Sequence, residues 1–230
     1  MVPNAAEGAQ PVAVLFSAGL DSAVLLAEAA REAPVQPIYV SAGLAWEAQE
    51  LAAATELLAS GAYRDRALPL ARLGVDMRDV YPTTHWAVRG DAPSFDTPDE
   101  DVYIEGRNIV LLAKAAVFMA RAGLGRVLLA PLAGNPFPDA TPEFFASMAR
   151  TLSIGLAAPI AIETPFSRLD KPEVIRRGAR LGVPLELTLS CMQPVGELHC
   201  GRCSKCRERR DGFRDAGIAD RTRYAAPPLR

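Results

Sequence analysis

The sequence predicts an α/β fold, a parallel five-stranded sheet with helices on both faces and a small C-terminal segment apart from it. Short continuous apolar runs alternate with longer amphipathic stretches, as when strands buried on both faces are joined by helices. Of 230 residues, half are hydrophobic and 23% are charged, and mean hydropathy is near zero. That is enough apolar material for a core of ordinary domain size, and it excludes a disordered chain. All four cysteines lie between Cys191 and Cys206, which sets the end of the chain apart.

Val12–Phe16 reads as the first strand and Asp21–Arg31 as the helix after it. Val35–Val40 supplies a second strand and Trp46–Ala59 its helix, so two βα units are complete by residue 60. Ala67–Leu70, Arg126–Leu132 and Ala161–Thr164 are weaker strand candidates, with helices expected at Asn108–Ala122, Thr141–Leu152 and Lys171–Leu181. Right-handed βαβ crossovers assemble these into one parallel sheet. Two segments break the alternation. Asp91–Asp101 has five acids, two prolines and no Lys or Arg, which predicts a mobile surface loop, either a lid or a disordered insert. Residues 190–230 have little strand or helix periodicity, so the expected organisation is an α/β domain over 1–189 followed by a cysteine-bearing segment over 190–230.

The longest apolar stretch, Ile109–Ala120, is broken by Lys114 and falls short of the roughly 20 residues a bilayer crossing requires. Met1–Gln10 has no basic region ahead of the apolar run, so the expected compartment is the cytoplasm. A formal net charge of −2 hides an asymmetry: residues 200–230 hold nine Lys/Arg against four Asp/Glu.

After the first apolar run comes Ser17-Ala18-Gly19-Leu20-Asp21-Ser22, where strand becomes helix. A helix N-terminus there offers unpaired N–H groups and a positive dipole end to an anion, so a phosphate fits. Gly19 permits close backbone approach, and the Ser17 and Ser22 hydroxyls can donate. Asp21 lies too near a phosphate to help without a divalent cation, which makes it a Mg²⁺ candidate. The alternative is that Asp21 or Ser22 only caps the helix. No Gly-Lys-Ser/Thr follows, which disfavours γ-phosphoryl transfer of the kinase type. Ser-x-Gly-x-Asp-Ser after an N-terminal strand resembles the pyrophosphate loop of the ATP-pyrophosphatase superfamily, although Ala18 stands where that pattern prefers a second glycine.

Cys191, Cys200, Cys203 and Cys206 form C-x8-C-x2-C-x2-C. In a chain without a secretion signal this spacing points to a metal rather than disulfides. Four thiolates can enclose one tetrahedral Zn²⁺ and leave no open position, so the expected role is structural. An iron–sulfur cluster is the rival, because spacing alone does not identify the metal. His199 is expected to be a neighbour, not a ligand.

Further stretches are similar to one branch of that superfamily, the 7-cyano-7-deazaguanine synthases usually called QueC. Gly106-Arg107-Asn108 opening an apolar helix resembles the family's Pro-Gly-Arg-Asn element. Phe137-Pro138-Asp139 followed by Pro142-Glu143-Phe144 resembles its Tyr-Pro-Asp-Cys-Arg stretch. Thr164-Pro165-Phe166 with Leu169 and Lys171, then Leu181-Gly182-Val183-Pro184 and Leu187-Thr188, continue the correspondence into the cysteines. The departures are Ala42-Gly43-Leu44-Ala45-Trp46 in place of Tyr-Gly-Gln-Arg-His, Ala140-Thr141 in place of Cys-Arg, and Glu105 in place of proline.

The resemblance implies a Rossmann-like sheet of the adenine nucleotide alpha hydrolase type. It implies nucleotide contacts at Leu15, Phe16, Ser17, Ala18, Gly19, Leu20, Asp21, Ser22 and Val40. Substrate contacts fall at Arg107, Asn108, Phe137 and Asp139, with catalytic roles for Asp21, Arg107 and Lys171 and metal ligation by the four cysteines. ATP, Mg²⁺ and Zn²⁺ are the implied cofactors, and a homodimer the implied assembly. The implied reaction is ATP-dependent activation of a 7-carboxy-7-deazaguanine carboxylate, attack by ammonia to give the amide, then a second activation to the nitrile. The bland readings are that Arg107 pairs with Glu105, Lys171 is solvated beside Asp170, Asn108 caps its helix, Asp139 stabilises a turn and Phe137 fills core.

The departures motivate a second enzyme reading, in which the reaction stops at the amide or passes the activated group to another amine. A third is a catalytically dead scaffold. A fourth, an RNA-binding module, is suggested by Arg202, Lys205, Arg207, Arg209 and Arg210 around the cysteines. Against it stand the acidic remainder and the lack of aromatic residues interleaved with the basic run, so nucleic acid is not the expected partner.

Overall fold

The computed structural model describes residues 10–63 and 65–226; the reading of the first nine residues as lacking a secretory signal lies outside them. Strands β1 (Val12–Leu15), β2 (Val35–Ser41), β3 (Ala71–Gly74), β4 (Arg126–Leu128) and β5 (Ala161–Glu163) form one parallel sheet in the order β3-β2-β1-β4-β5. Helices α1 (Leu20–Glu32), α2 (Glu47–Ala59), α4 (Arg107–Ala122), α5 (Pro142–Leu156) and α6 (Lys171–Arg180) stand where the amphipathic stretches predict them, and α3 (Trp86–Arg89) is a single added turn. The expected fold class is the observed one.

The pleat of β1 divides the core in two. Val12, Val14 and Phe16 pack with Val24 and Leu25 of α1, Leu57 of α2 and Val174 and Ile175 of α6. Ala13 points to the opposite face with Leu112, Ala115 and Met119 of α4 and Phe145 of α5. Successive side chains of a strand face opposite ways, so a fully apolar run is required where both faces are covered. Among the described residues no helix is long and apolar enough to cross a membrane.

Three expectations are corrected. The third strand lies at Ala71–Gly74, not Ala67–Leu70. Ala67 makes only an isolated bridge to Val35, because Pro69 has no N–H to give a ladder; the Pro69 carbonyl instead accepts from Gln36 Nε2 at 2.8 Å. The acidic Asp91–Asp101 segment is anchored rather than free. Ser94 bridges Cys203, the Pro93 carbonyl accepts from Ser204 N–H at 3.1 Å, and the Phe95 carbonyl accepts from Arg207 at 2.7 Å. Lastly, the cysteine-bearing segment contains a regular helix, α7 (Ser204–Ala216). Its Phe213 is buried in the same core as β1. Gly212 lets α7 lie against α6, since a Cβ there falls 2.5 Å from Lys171 Cγ and 2.9 Å from Ile175 Cδ1.

Candidate functional site

The connections from β1 move outward to β2 and β3, then return to place β4 on the other side of β1. Such a reversal opens a crevice beyond the carboxyl ends of the two strands. A cavity of about 290 Å³ occupies it. The strand-to-helix loop forms its floor. Gly19 is the residue before the first turn of α1, with φ −64° and ψ 156°. Ser17 Oγ accepts the Gly19 N–H at 3.3 Å and Ser22 Oγ donates to the Gly19 carbonyl at 3.0 Å. Ala18 sits at φ +60°, in the left-handed region where an L side chain is strained, which gives a physical reason why the pattern this loop resembles prefers glycine there. Its carbonyl accepts from Leu189 N–H at 2.9 Å, tying the loop to the chain just before the first cysteine.

Most of the residues singled out in the sequence meet at this cavity. Leu15, Phe16, Ser17, Gly19, Asp21 and Ser22 come from β1, the loop and α1, and Val40 from β2. Arg107, Asn108, Phe137 and Asp139 face them from α4 and the turn before α5. Ala18 is buried in the core and lines neither this cavity nor the next. Leu20 and Lys171 line a second cavity of about 200 Å³, which shares Ser17, Gly19, Asp21, Glu50 and Arg107 with the first. The two are halves of one crevice that meet at the loop.

Asn108 and Asp139 fasten the walls together. Asp139 Oδ2 accepts the Asn108 N–H at 3.0 Å, and Asn108 Nδ2 donates to the Asp139 carbonyl at 2.9 Å. Asp139 thus caps α4, and burial raises its carboxyl while the Asn108 amide opposes the rise. Phe137 stacks on Tyr103 with centroids 5.3 Å apart and also lines the cavity. Arg107 makes no ion pair with Glu105 among the described residues; its Nε is buried without a hydrogen-bond partner. A buried guanidinium N–H left unpaired in a cavity wall marks a place for an acceptor.

Lys171 is not the solvated lysine of the bland reading. Its Nζ lies 2.6 Å from Asp21 Oδ2 and 2.8 Å from Glu208 Oε1, and Lys205 Nζ meets Glu208 Oε2 at 2.6 Å. Despite burial, the two carboxylates hold the Lys171 ammonium above its ordinary pKa. The alternating row Asp21, Lys171, Glu208, Lys205 runs along the second cavity.

Sequence reasoning missed the acids of α2. Glu47 accepts from the Ala42 and Gly43 N–H groups at 2.7 and 3.2 Å, and Glu50 accepts from Tyr39 Oη at 2.8 Å and Trp46 Nε1 at 3.2 Å. A signal was present: Glu47, Glu50, Ala54 and Leu57 share the buried face of α2, so two acids fall in register with the apolar stripe. Burial pushes the Glu50 carboxyl up to about 7, with Arg107 opposing. The departing Ala42–Trp46 stretch builds an apolar cluster with Tyr81, Ala87 and Ile104, and Trp46 stacks on Trp86 at 5.7 Å.

The four cysteine sulfurs lie within 4.8 Å of one another, all buried. Sγ separations of 3.5 and 3.9 Å match the roughly 3.8 Å spacing that Zn–S bonds of about 2.3 Å set in a tetrahedron. The Cys200 and Gln193 amides donate to Cys191 Sγ and the Arg202 amide to Cys200 Sγ, at 3.2–3.3 Å, as thiolate ligands require. The donor set fits a metal. His199 stays outside it, its Nε2 accepting from Ser190 N–H at 3.1 Å.

Residues 11–217 match the family model described as queuosine biosynthesis protein QueC. The chain is 37% identical over 224 residues to a 7-cyano-7-deazaguanine synthase of Thiobacillus denitrificans, covering 92% of this chain and 97% of the relative. It is 33% identical to one of Azoarcus sp. (93% and 96% covered) and 35% identical to one of Methanothrix thermoacetophila (91% and 96% covered). With the family model spanning the loop, the crevice and all four cysteines, this chain belongs to the QueC family.

Proposed function

We propose that this protein is an ATP-dependent carbon–nitrogen ligase that adenylates the carboxylate of a 7-carboxy-7-deazaguanine-type substrate and converts it with ammonia, through the amide, to the nitrile. One observation carries the reading: the N-terminus of α1 and Arg107, whose Nε is buried without a partner, face each other across a crevice at the sheet's reversal. In the first step a substrate carboxylate oxygen bonds to the α-phosphorus and pyrophosphate leaves. Two anions must approach, so the loop N–H groups, Arg107 and Lys171 supply positive potential where charge accumulates. Asp21, once released by Lys171, would be the residue to hold a Mg²⁺ ion, which would supply neutralisation of phosphate charge. Phe137 stacks on the purine-like ring, and Asp139 accepts from its guanidine-like edge. Residues 1–189 form the nucleotide-binding unit and 190–230 the metal-holding segment, in which Zn²⁺ on the four thiolates is structural. The assembly is a homodimer.

The test is incubation with 7-carboxy-7-deazaguanine, ATP, Mg²⁺ and ammonium, followed by product masses. Nitrile and AMP are expected, and an absence of AMP overturns the reading. A second reading, stopping at the amide or using another amine, is favoured by Trp46, the residue of the departing Ala42–Trp46 stretch that lines the crevice and is apolar where the resemblance expects a polar group; it gives an amide or conjugate mass in the same experiment.

A further inference from the structure

We propose that Glu50 is the group that takes the proton from the attacking amine; the assignment rests on the adenylation reading above. Glu50 lines both halves of the crevice, with Asp21 and Arg107. It is only 7% exposed, yet among the described residues no lysine or arginine forms an ion pair or hydrogen bond with it; Arg107 acts on it through space alone. The other two carboxylates of the second cavity, Asp21 and Glu208, are both held by lysines. Tyr39 Oη and Trp46 Nε1 each donate to one Glu50 oxygen. A carboxylate accepts about four hydrogen bonds, so both oxygens keep capacity for an N–H. The two donors come from β2 and from the start of α2, and they fix the carboxylate's orientation on rigid elements. A buried, oriented carboxylate with no ion-pair partner, at the junction of a nucleotide half and a polar half, is placed to serve a step that occurs between them.

That step is amide formation. Neutral ammonia bonds through nitrogen to the acyl carbon, the bond from that carbon to the AMP oxygen breaks, and its electron pair leaves with AMP. The nitrogen then carries one proton too many, and the Glu50 carboxylate accepts it; the carboxylic acid later returns it to solvent. Atoms and charge balance without a further reactant.

The groups facing Glu50 set its titration. Tyr39 stands on β2, Trp46 and Glu47 at the start of α2, and Arg107 on α4. Across the cavities lie Asp21 on α1, Lys171 on α6, and Lys205, Glu208 and Arg209 on α7. Burial dominates and pushes the carboxyl up to about 7; a general base is most effective where its pKa lies near the pH of the reaction, so it suits catalysis near neutrality.

The experiment compares two half-reactions, substrate-dependent ATP–pyrophosphate exchange and single-turnover amide formation plotted against free ammonia. In the parent, amide formation rises about tenfold per pH unit below about 7 and levels above it. In Glu50→Gln the bend disappears and amide formation falls by about 100-fold or more, at least about ten times more than exchange falls. Tyr39→Phe removes a donor to the carboxylate and moves the bend to higher pH. Equal loss of both half-reactions in Glu50→Gln, or a bend that persists in it, overturns the assignment. Should Glu50→Gln fail to fold, an unmoved bend in Tyr39→Phe overturns it. A parent that catalyses no substrate-dependent exchange overturns the adenylation reading itself, a result distinct from either.

Discussion

Replacing Lys171 with methionine keeps the length of the stem and removes the charge on which two carboxylates converge. The ammonium lies 2.6 Å from Asp21 and 2.8 Å from Glu208, with side-chain exposures of 17%, 26% and 25%. Removing one partner of a fully buried pair costs about 3–5 kcal/mol, because the other charge is left uncompensated. Here Glu208 keeps Lys205 at 2.6 Å, so Asp21 is the group orphaned, and its partial exposure admits water. The expected loss is therefore about 2–3 kcal/mol. For a chain of this size each kcal/mol moves Tm by about 2–4 °C, so Lys171→Met melts about 4–12 °C below the parent in a calorimetric or fluorescence scan at neutral pH. Adding Asp21→Asn removes the orphaned charge and recovers about half of the deficit. A variant that melts with the parent, or a double variant no better than Lys171→Met, refutes the argument that Asp21 is neutralised by this lysine.

Gly212→Ala forces α7 away from Lys171 and Ile175, whose atoms lie 2.5 and 2.9 Å from the new Cβ; overpacking of about 1–3 kcal/mol is expected, read as a lower denaturant midpoint with m unchanged. Cys203→Ser, or chelation of the wild-type protein, lowers Tm and weakens ATP binding together, because the Ala18 carbonyl is held by Leu189 two residues before Cys191; calorimetric titration in which affinity survives metal removal counts against that coupling. Glu50 also makes stability depend on pH. A carboxyl raised in the folded state from 4.5 to about 7 favours folding while it is protonated, so its contribution is present below about pH 4.5 and lost as pH rises through 7. Between about pH 5 and 8, the unfolding free energy of Glu50→Gln therefore gains on that of the parent by at most about 3 kcal/mol, read from denaturant melts at each pH, and a difference that does not change with pH contradicts this.

What could be read from residues alone divides along physical lines. Val12–Phe16 and the Ser17–Ser22 loop are legible because a run buried on both faces must be wholly apolar and the tight turn from β1 into α1 takes small residues, Gly19 among them. The third strand was misplaced since Ala67–Leu70 is the more apolar tetrapeptide, whereas register with β2 puts Arg72 and Gly74 in the sheet. Helix α7 escaped periodicity because its buried face is Ser204, Cys206, Arg209, Gly212 and Phe213, with little aliphatic signal. Arg209 is fully buried there, donating to Thr188, Ser190, Thr222 and the Leu185 carbonyl. In the site, Arg107, Asn108, Phe137 and Asp139 were found through motif resemblance. Glu50 and Glu208 were not, since an acid on a helix reads as solvated until the fold shows which way it faces.

Adenylation leaves a mark that no other activation of a carboxylate leaves. With 7-carboxy-7-deazaguanine labelled with ¹⁸O in its carboxylate, plus ATP and ammonium, mass spectrometry of the released AMP should find one heavy oxygen, carried from the carboxylate to the α-phosphorus. Heavy oxygen in inorganic phosphate, with ADP as the nucleotide product, contradicts the account.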